Sequence, residues 1–219
     1  MGTSAIAKYI EKLHEISNSS GNLIFRGVPN SSLTMESSTA RKLKENNKSD
    51  LIQYHKNMIE SARKNHSFNS ICNFSDLHDL EVLAEIQHQG GDTCLTDFTT
   101  NFLISLWFAS TKSTENANGK IFIIDVDSPE NEDKLSIYTI KKDENETIDT
   151  LLTSPQRYID LSKNNEPVIW VWEPSRLNGR IIKQDTVYLF GLPVIKENSI
   201  FTLKPIEIEL TTKMIYIGN

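Results

Sequence analysis

The chain has 219 residues, 38% of them hydrophobic and 8% aromatic, enough for one core-bearing domain and against a disordered chain. Its formal net charge of -6 argues against sequence-independent nucleic-acid binding, which needs a basic face; a local basic patch stays open. No apolar run approaches the roughly 20 residues of a membrane span, and the N-terminus lacks a basic stretch followed by an apolar core, so a cytoplasmic protein with no membrane partner is expected.

In chain order, Thr3 can cap a helix over residues 3–18, with Ile6, Tyr9, Ile10 and Leu13 on one face. The breaker Ser17–Gly21 separates it from a short strand over Asn22–Gly27, ending on Arg26 and Gly27. Pro29–Ser38 is loop-like. Helical patterning resumes at Thr39–Lys44, strengthens over Ser49–Arg63 with Leu51, His55, Met58, Ile59 and Ala62 in a stripe, and returns from Ser75 or Asp76 to His88. Gly90 and Gly91 should end that helix. Asp92–Thr99 is expected to be a turn-rich connector. Asn101–Ser110, apolar nearly all round, predicts a buried helix capped by Thr99 or Thr100, with Trp107 and Phe108 in the core.

After Asn118-Gly119 the pattern turns to strands: Lys120–Val126, a short one over Leu135–Ile140, then Val168–Trp172, Arg180–Ile182, Thr186–Phe190 and Phe201–Leu210. A short helix is expected within 147–162. Helices first and strands later, around one early strand, predict an α+β fold: N-terminal helices packed on a mixed or antiparallel sheet built mainly from the C-terminal half. No Gly-rich phosphate loop occurs, and the five histidines show no paired metal spacing, so no metal is expected. Cys72 and Cys94 read as reduced, small core hydrophobes.

Three separated segments resemble the FRG family. The first is Phe25-Arg26-Gly27, followed by Met35, Ser37, Ser38 and Arg41 where the family has Leu, a Pro-Ser pair and Arg. The second runs from Ile86 to Thr99; Gln87, His88, Gly90, Thr93, Leu95, Asp97 and Thr99 match, and Asn101 and Phe108-Ala109 follow. Asp92, Cys94, Thr96 and Phe98 depart from the pattern, standing where it has Pro, Arg, Leu and Trp. The third comprises Pro174, Asn178, Arg180 and Gln184 before Tyr188 and Phe190. The resemblance spans roughly 22–215 and divides the chain into an N-terminal helix, 1–20, and an FRG-like domain, 21–219. Family members usually continue into a further helix beyond the position of Lys213.

The strand-ending Arg-Gly is in turn similar to the first-strand motif of ADP-ribosyltransferases. By that analogy Arg26, His88, Asp97 and Gln184 are the candidate catalytic residues, and NAD is the substrate. Arg26 would hold phosphate, and Gly27 would let the ligand approach the backbone. Ser38 or Thr39 would take the place of a second-strand residue, and Gln184 would bond a ribose hydroxyl. His88 and Asp97 would supply acid–base function. Gly27, Ser38, Arg41, Gln87, Thr93 and Arg180 are the candidate ligand-binding residues. The implied role is an ADP-ribosyltransferase or NAD hydrolase acting as a toxin or anti-phage effector. Two other readings stay open: a non-catalytic module for a nucleotide, nucleic acid or protein partner, motivated by Gln184 in place of an acid, and a metal-dependent nuclease or hydrolase using His88 and Asp97. Each residue also has a purely structural explanation. Arg26 can pair with Asp97, His88 can sit on a helix C-terminus, and Asp97 and Thr99 can cap the next helix.

Overall fold

Side chains alternate across the first strand of the computed structural model, and that alternation organises the molecule. The structure describes residues 5–19, 21–35, 37–45, 51–64, 74, 77–111, 117–127, 136–140, 168–174, 183–192 and 202–208. The helices are α1 (Ala5–Ser19), α2 (Ser38–Glu45), α3 (Leu51–Lys64), α4 (Asp79–His88) and α5 (Phe102–Ser110). The strands are β1 (Leu23–Val28), β2 (Thr96–Thr99), β3 (Gly119–Asp125), β4 (Ser136–Ile140), β5 (Val168–Trp172), β6 (Thr186–Leu192) and β7 (Thr202–Ile208). The strands form one seven-stranded sheet in the order β4-β5-β6-β2-β1-β3-β7. Only β4 and β5 run parallel; every other pairing is antiparallel. The fold is α+β, its described helices all preceding residue 111 and five of its seven strands lying after it.

In β1, Leu23 and Phe25 join the cluster of Leu13, Leu106, Ala109, Ile121 and Ile123, which seats α1 and α5 on one face. Ile24 and Val28 point the other way, into a cluster with Phe98, Phe122, Ile124 and Leu189. By the same period of two, Arg26 belongs to the face of Ile24 and Val28, and Gly27 to the face of α5. A third cluster joins α3 and α4 to the other half of the sheet through Leu80, Leu83, Trp170, Trp172 and Phe190. Burying a large apolar side chain contributes about 1.5–3 kcal/mol. The completely buried Phe25, Phe122, Phe190 and Ile123 therefore make the sheet the stable frame of the site.

Several expectations are corrected. The connector Asp92–Thr99 contains a strand, β2, at the centre of the sheet. Its neighbours β1 and β6 decide this, because Thr96–Thr99 is too short and too polar to show a strand period by itself. The cap of α5 is Asn101, whose Oδ1 accepts from the Leu103 N–H at 3.0 Å, while Thr99 Oγ1 accepts from the Asn101 N–H. Helix α5 is not buried all round: Leu103 and Trp107, one turn apart, are 49% and 57% exposed. Helix α4 starts at Asp79, later than Ser75 or Asp76; Asp79 pairs with Arg63 at 2.9 Å, which ties it to the end of α3. The end of α4 follows expectation. Gly90 takes a φ of +90°, and the Gly91 N–H donates to the Ile86 carbonyl. The expected helix within 147–162 and strand Arg180–Ile182 lie outside the described residues.

Candidate functional site

The two central strands share a single register pair, Phe25 with Thr99, whereas β1 and β3 share six. Arg26–Val28 and Thr96–Phe98 are therefore unpaired with each other, and a cleft of about 200 Å3 opens at this seam. Its polar lining comes from Arg26, Asp97, Gln184 and Thr186, and its apolar lining from Leu33, Phe98, Ile104 and Phe108. Ile104 and Phe108 lie one turn apart on α5, so a single helix stripe supplies much of the apolar lining.

Arg26 reaches across the seam. Its Nη1 donates to the Asp97 carbonyl oxygen at 2.7 Å, and its Nε is buried without a hydrogen-bond partner among the described residues. The partner on Asp97 is thus the backbone carbonyl and not the carboxylate, and no ion pair of Arg26 occurs among the described residues. Burial pushes the Arg26 guanidinium below its ordinary range; the Asp97 charge opposes this and the Arg41 charge adds to it. An arginine stays cationic even so, which leaves an incompletely neutralised charge at the back of the cleft.

Asp97 is exposed at the cleft, and its Oδ1 accepts from Gln87 Nε2 at 2.8 Å. Gln184 arrives through the backbone: Thr99 Oγ1 donates to the Gln184 carbonyl at 2.7 Å, and the Thr100 N–H donates to the Asp185 carbonyl at 3.1 Å. Asn101 Nδ2 adds a 3.3 Å bond to Asp185 Oδ2. The turn before β6 is in this way pinned to the end of β2, and three residues from distant parts of the chain meet.

Other candidates stand elsewhere. His88 is exposed on the last residue of α4 and does not line the cleft. Ser38 and Thr39, expected in a second-strand position, lie in α2, since the segment after β1 coils into a helix. Ser38 Oγ bonds the backbone of Thr93, at 3.4 Å from its oxygen and 3.3 Å from its nitrogen. Arg41 is exposed on the same helix. Gln87 and Thr93 stand behind Asp97 and are not in the cleft wall. Arg180 and Asn178 lie outside the described residues.

Gly27 lines the cleft, but a different contact requires it to be glycine. A Cβ there would fall 1.8 Å from the Ser105 carbonyl oxygen and 2.9 Å from the Ala109 nitrogen. The missing side chain lets α5 cross β1, so ligand approach is not what demands it.

Sequence reasoning missed three features, while its reading of Cys94 as a reduced, small core hydrophobe holds. Leu33, Ile104 and Phe108 read as ordinary apolar residues, and nothing local marks them as a cleft wall. His55 is fully buried and its Nε2 accepts from the Cys94 N–H at 2.9 Å, which holds the segment leading into β2. Asp92, at a departure from the family pattern, bonds Lys42 at 2.7 Å; that bond holds its carboxyl below the usual range. Cys94 packs against the α3–α4 cluster, and burial pushes its thiol up to about 12, so it is no nucleophile. Cys72 lies outside the described residues. Among the described residues no group of His, Cys, Asp and Glu could hold a metal, and no helix is long and apolar enough to cross a membrane.

Residues 21–118 match the family model of the FRG domain. No curated protein and no solved structure matches the chain. The matched segment holds Arg26, Gln87, Thr93 and Asp97 as well as α5, while Gln184 joins the cleft from beyond it. The chain contains an FRG domain, over residues 21–118.

Proposed function

We propose that the seam cleft binds a nucleotide and that the protein cleaves the nicotinamide–ribose bond of NAD, as a hydrolase or ADP-ribosyltransferase of the cytoplasm acting as a toxin or anti-phage effector. The observation that carries this is the convergence of Arg26, Asp97 and Gln184, up to 158 positions apart, on one cleft that also has apolar lining. A half-buried guanidinium whose buried Nε has no partner among the described residues is suited to a phosphate, whose charge would relieve the desolvation of the cation. At about 200 Å3 the cleft is smaller than the roughly 300–1,000 Å3 of drug-sized pockets, and suits one nucleotide half rather than a whole dinucleotide.

In this reading the pyridinium ring lies against Phe108 and Ile104 while Gln184 bonds a ribose hydroxyl. The bond between ribose C1′ and the ring nitrogen breaks, and its electron pair leaves with neutral nicotinamide. The Asp97 carboxylate faces the cationic sugar and takes the proton of the attacking water or acceptor hydroxyl. His88 has no part, because it does not line the cleft.

The test is incubation of the purified protein with NAD, following nicotinamide release and transfer of labelled ADP-ribose to extract proteins. Arg26→Ala and Asp97→Asn should each lower turnover by about a hundredfold or more. A protein stabilised by NAD or ADP-ribose but without turnover would be a binding module. No turnover and no stabilisation by any nucleotide would overturn both readings.

A further inference from the structure

Behind the cleft wall lies a chain of side chains that the proposed reaction does not use. Thr93 is fully buried. Its hydroxyl accepts from the Leu95 N–H at 3.2 Å and donates to Gln87 Oε1. Gln87 Nε2 then donates to Asp97 Oδ1 at 2.8 Å. The backbone of Thr93 is clamped in turn by Ser38 Oγ, and that of the next residue by His55 Nε2.

The polarity of this relay follows from its end. A carboxylate only accepts, so the NH2 end of Gln87 must face Asp97. The amide oxygen must then face Thr93, whose hydroxyl must donate to it. Replacing Thr93 by an apolar isostere would remove the contact that decides which way the amide points. Asp97 Oδ2 takes no hydrogen bond among the described residues, so the relay satisfies one carboxylate oxygen of a residue that is exposed and lines the cleft.

We infer that Gln87 and Thr93 are positioning residues which orient the Asp97 carboxylate and do not touch the ligand, a role that rests on the reading of the cleft as the reaction site. Their presence in the family motif is then explained by the aspartate they aim.

One arm of the test needs no turnover. In the ligand-free, nitrogen-15-labelled protein, exchange of the Gln87 side-chain NH2 protons with solvent is measured by NMR. Thr93→Val and Asp97→Asn should each speed it by about tenfold, and Thr93→Ser, which keeps the hydroxyl, should recover most of that loss. Unchanged exchange in Thr93→Val overturns the relay, whatever the protein does to NAD. The second arm is a kinetic cycle. Gln87→Leu should lower kcat about tenfold with KM for NAD little changed, and adding it to Asp97→Asn should cause almost no further loss. Full additivity, or a rise in KM alone, would place Gln87 on the ligand and overturn the proposal. Absence of NAD turnover with exchange as expected would remove the functional reading and leave the relay standing. Melting curves of each variant identify misfolding, and Thr93→Ser keeps the comparison decisive if Thr93→Val does not fold.

Discussion

Desolvation of the Arg26 guanidinium weighs against the folded state, and one carbonyl at 2.7 Å offsets only part of it. A site built in this way gains from an anion arriving, which is why this residue anchors the functional reading. Next to it, Gly27 carries a different constraint, and the two neighbours are separable by experiment. Gly27→Ala puts a Cβ 1.8 Å from a backbone oxygen of α5, which no rotamer change can relieve. The expected loss is about 1–3 kcal/mol or more, read as a lowered urea midpoint; an unchanged midpoint would mean that α5 does not cross here. Arg26 was legible as a candidate because the Phe25-Arg26-Gly27 run singles it out. The reason for Gly27 was not, because its contact is 78 positions away in the chain.

Helix α5 shows how an element can be recognised while its surroundings are misjudged. Its apolar run, Asn101 capping and termination near Ser110 are all local, and the helix follows from them. Burial on every side does not follow. The helix rests on β1 through Ser105 and Ala109, lines the cleft through Ile104 and Phe108, and leaves Leu103 and Trp107 outside. Trp107→Ser should therefore change stability by less than about 1 kcal/mol, where a buried tryptophan would cost about 3–5. Chemical denaturation decides between them, and a loss in the upper range would show that Trp107 is covered. Strand β2 presents the opposite case. Four residues alternating Thr, Asp, Phe and Thr carry no strand signal strong enough to stand alone, and pairing to β6 on one side makes the strand.

At the scale of the whole molecule, the pair between Lys42 and Asp92 joins α2 to the segment before β2, and so bears on how the fold responds to acid. The Asp92 carboxyl is lowered chiefly by its hydrogen bond from Lys42, so the folded state binds a proton there less readily than the unfolded chain. That contribution is complete above the unfolded value of about 4 and is lost as the pH falls through the lower folded one. Lys42 is raised by the same bond, and its share is lost only in strong alkali. The melting temperature should fall more steeply below about pH 4 in the native protein than in Asp92→Asn. Identical acid profiles would show that the pair contributes nothing, as is common for exposed ion pairs.

The order of elements, the α+β class, the breaks at Gly90 and Asn118-Gly119 and the residues worth suspecting were all determined by the sequence itself. Each depends on neighbours a few positions apart: a period of two or 3.6, a cap, or a glycine where φ turns positive. The cleft was decided only by tertiary structure. It exists because β1 and β2 share one register pair and then part, because α5 crosses at Gly27, and because the turn carrying Gln184 is pinned to Thr99. Which motif residues line the cleft and which do not was decided in the same way. Gln87 and Asp97 are ten positions apart in the chain and one hydrogen bond apart in space, yet only Asp97 reaches the opening. Local propensity cannot encode that difference, because it depends on strands that pair across the whole length of the chain.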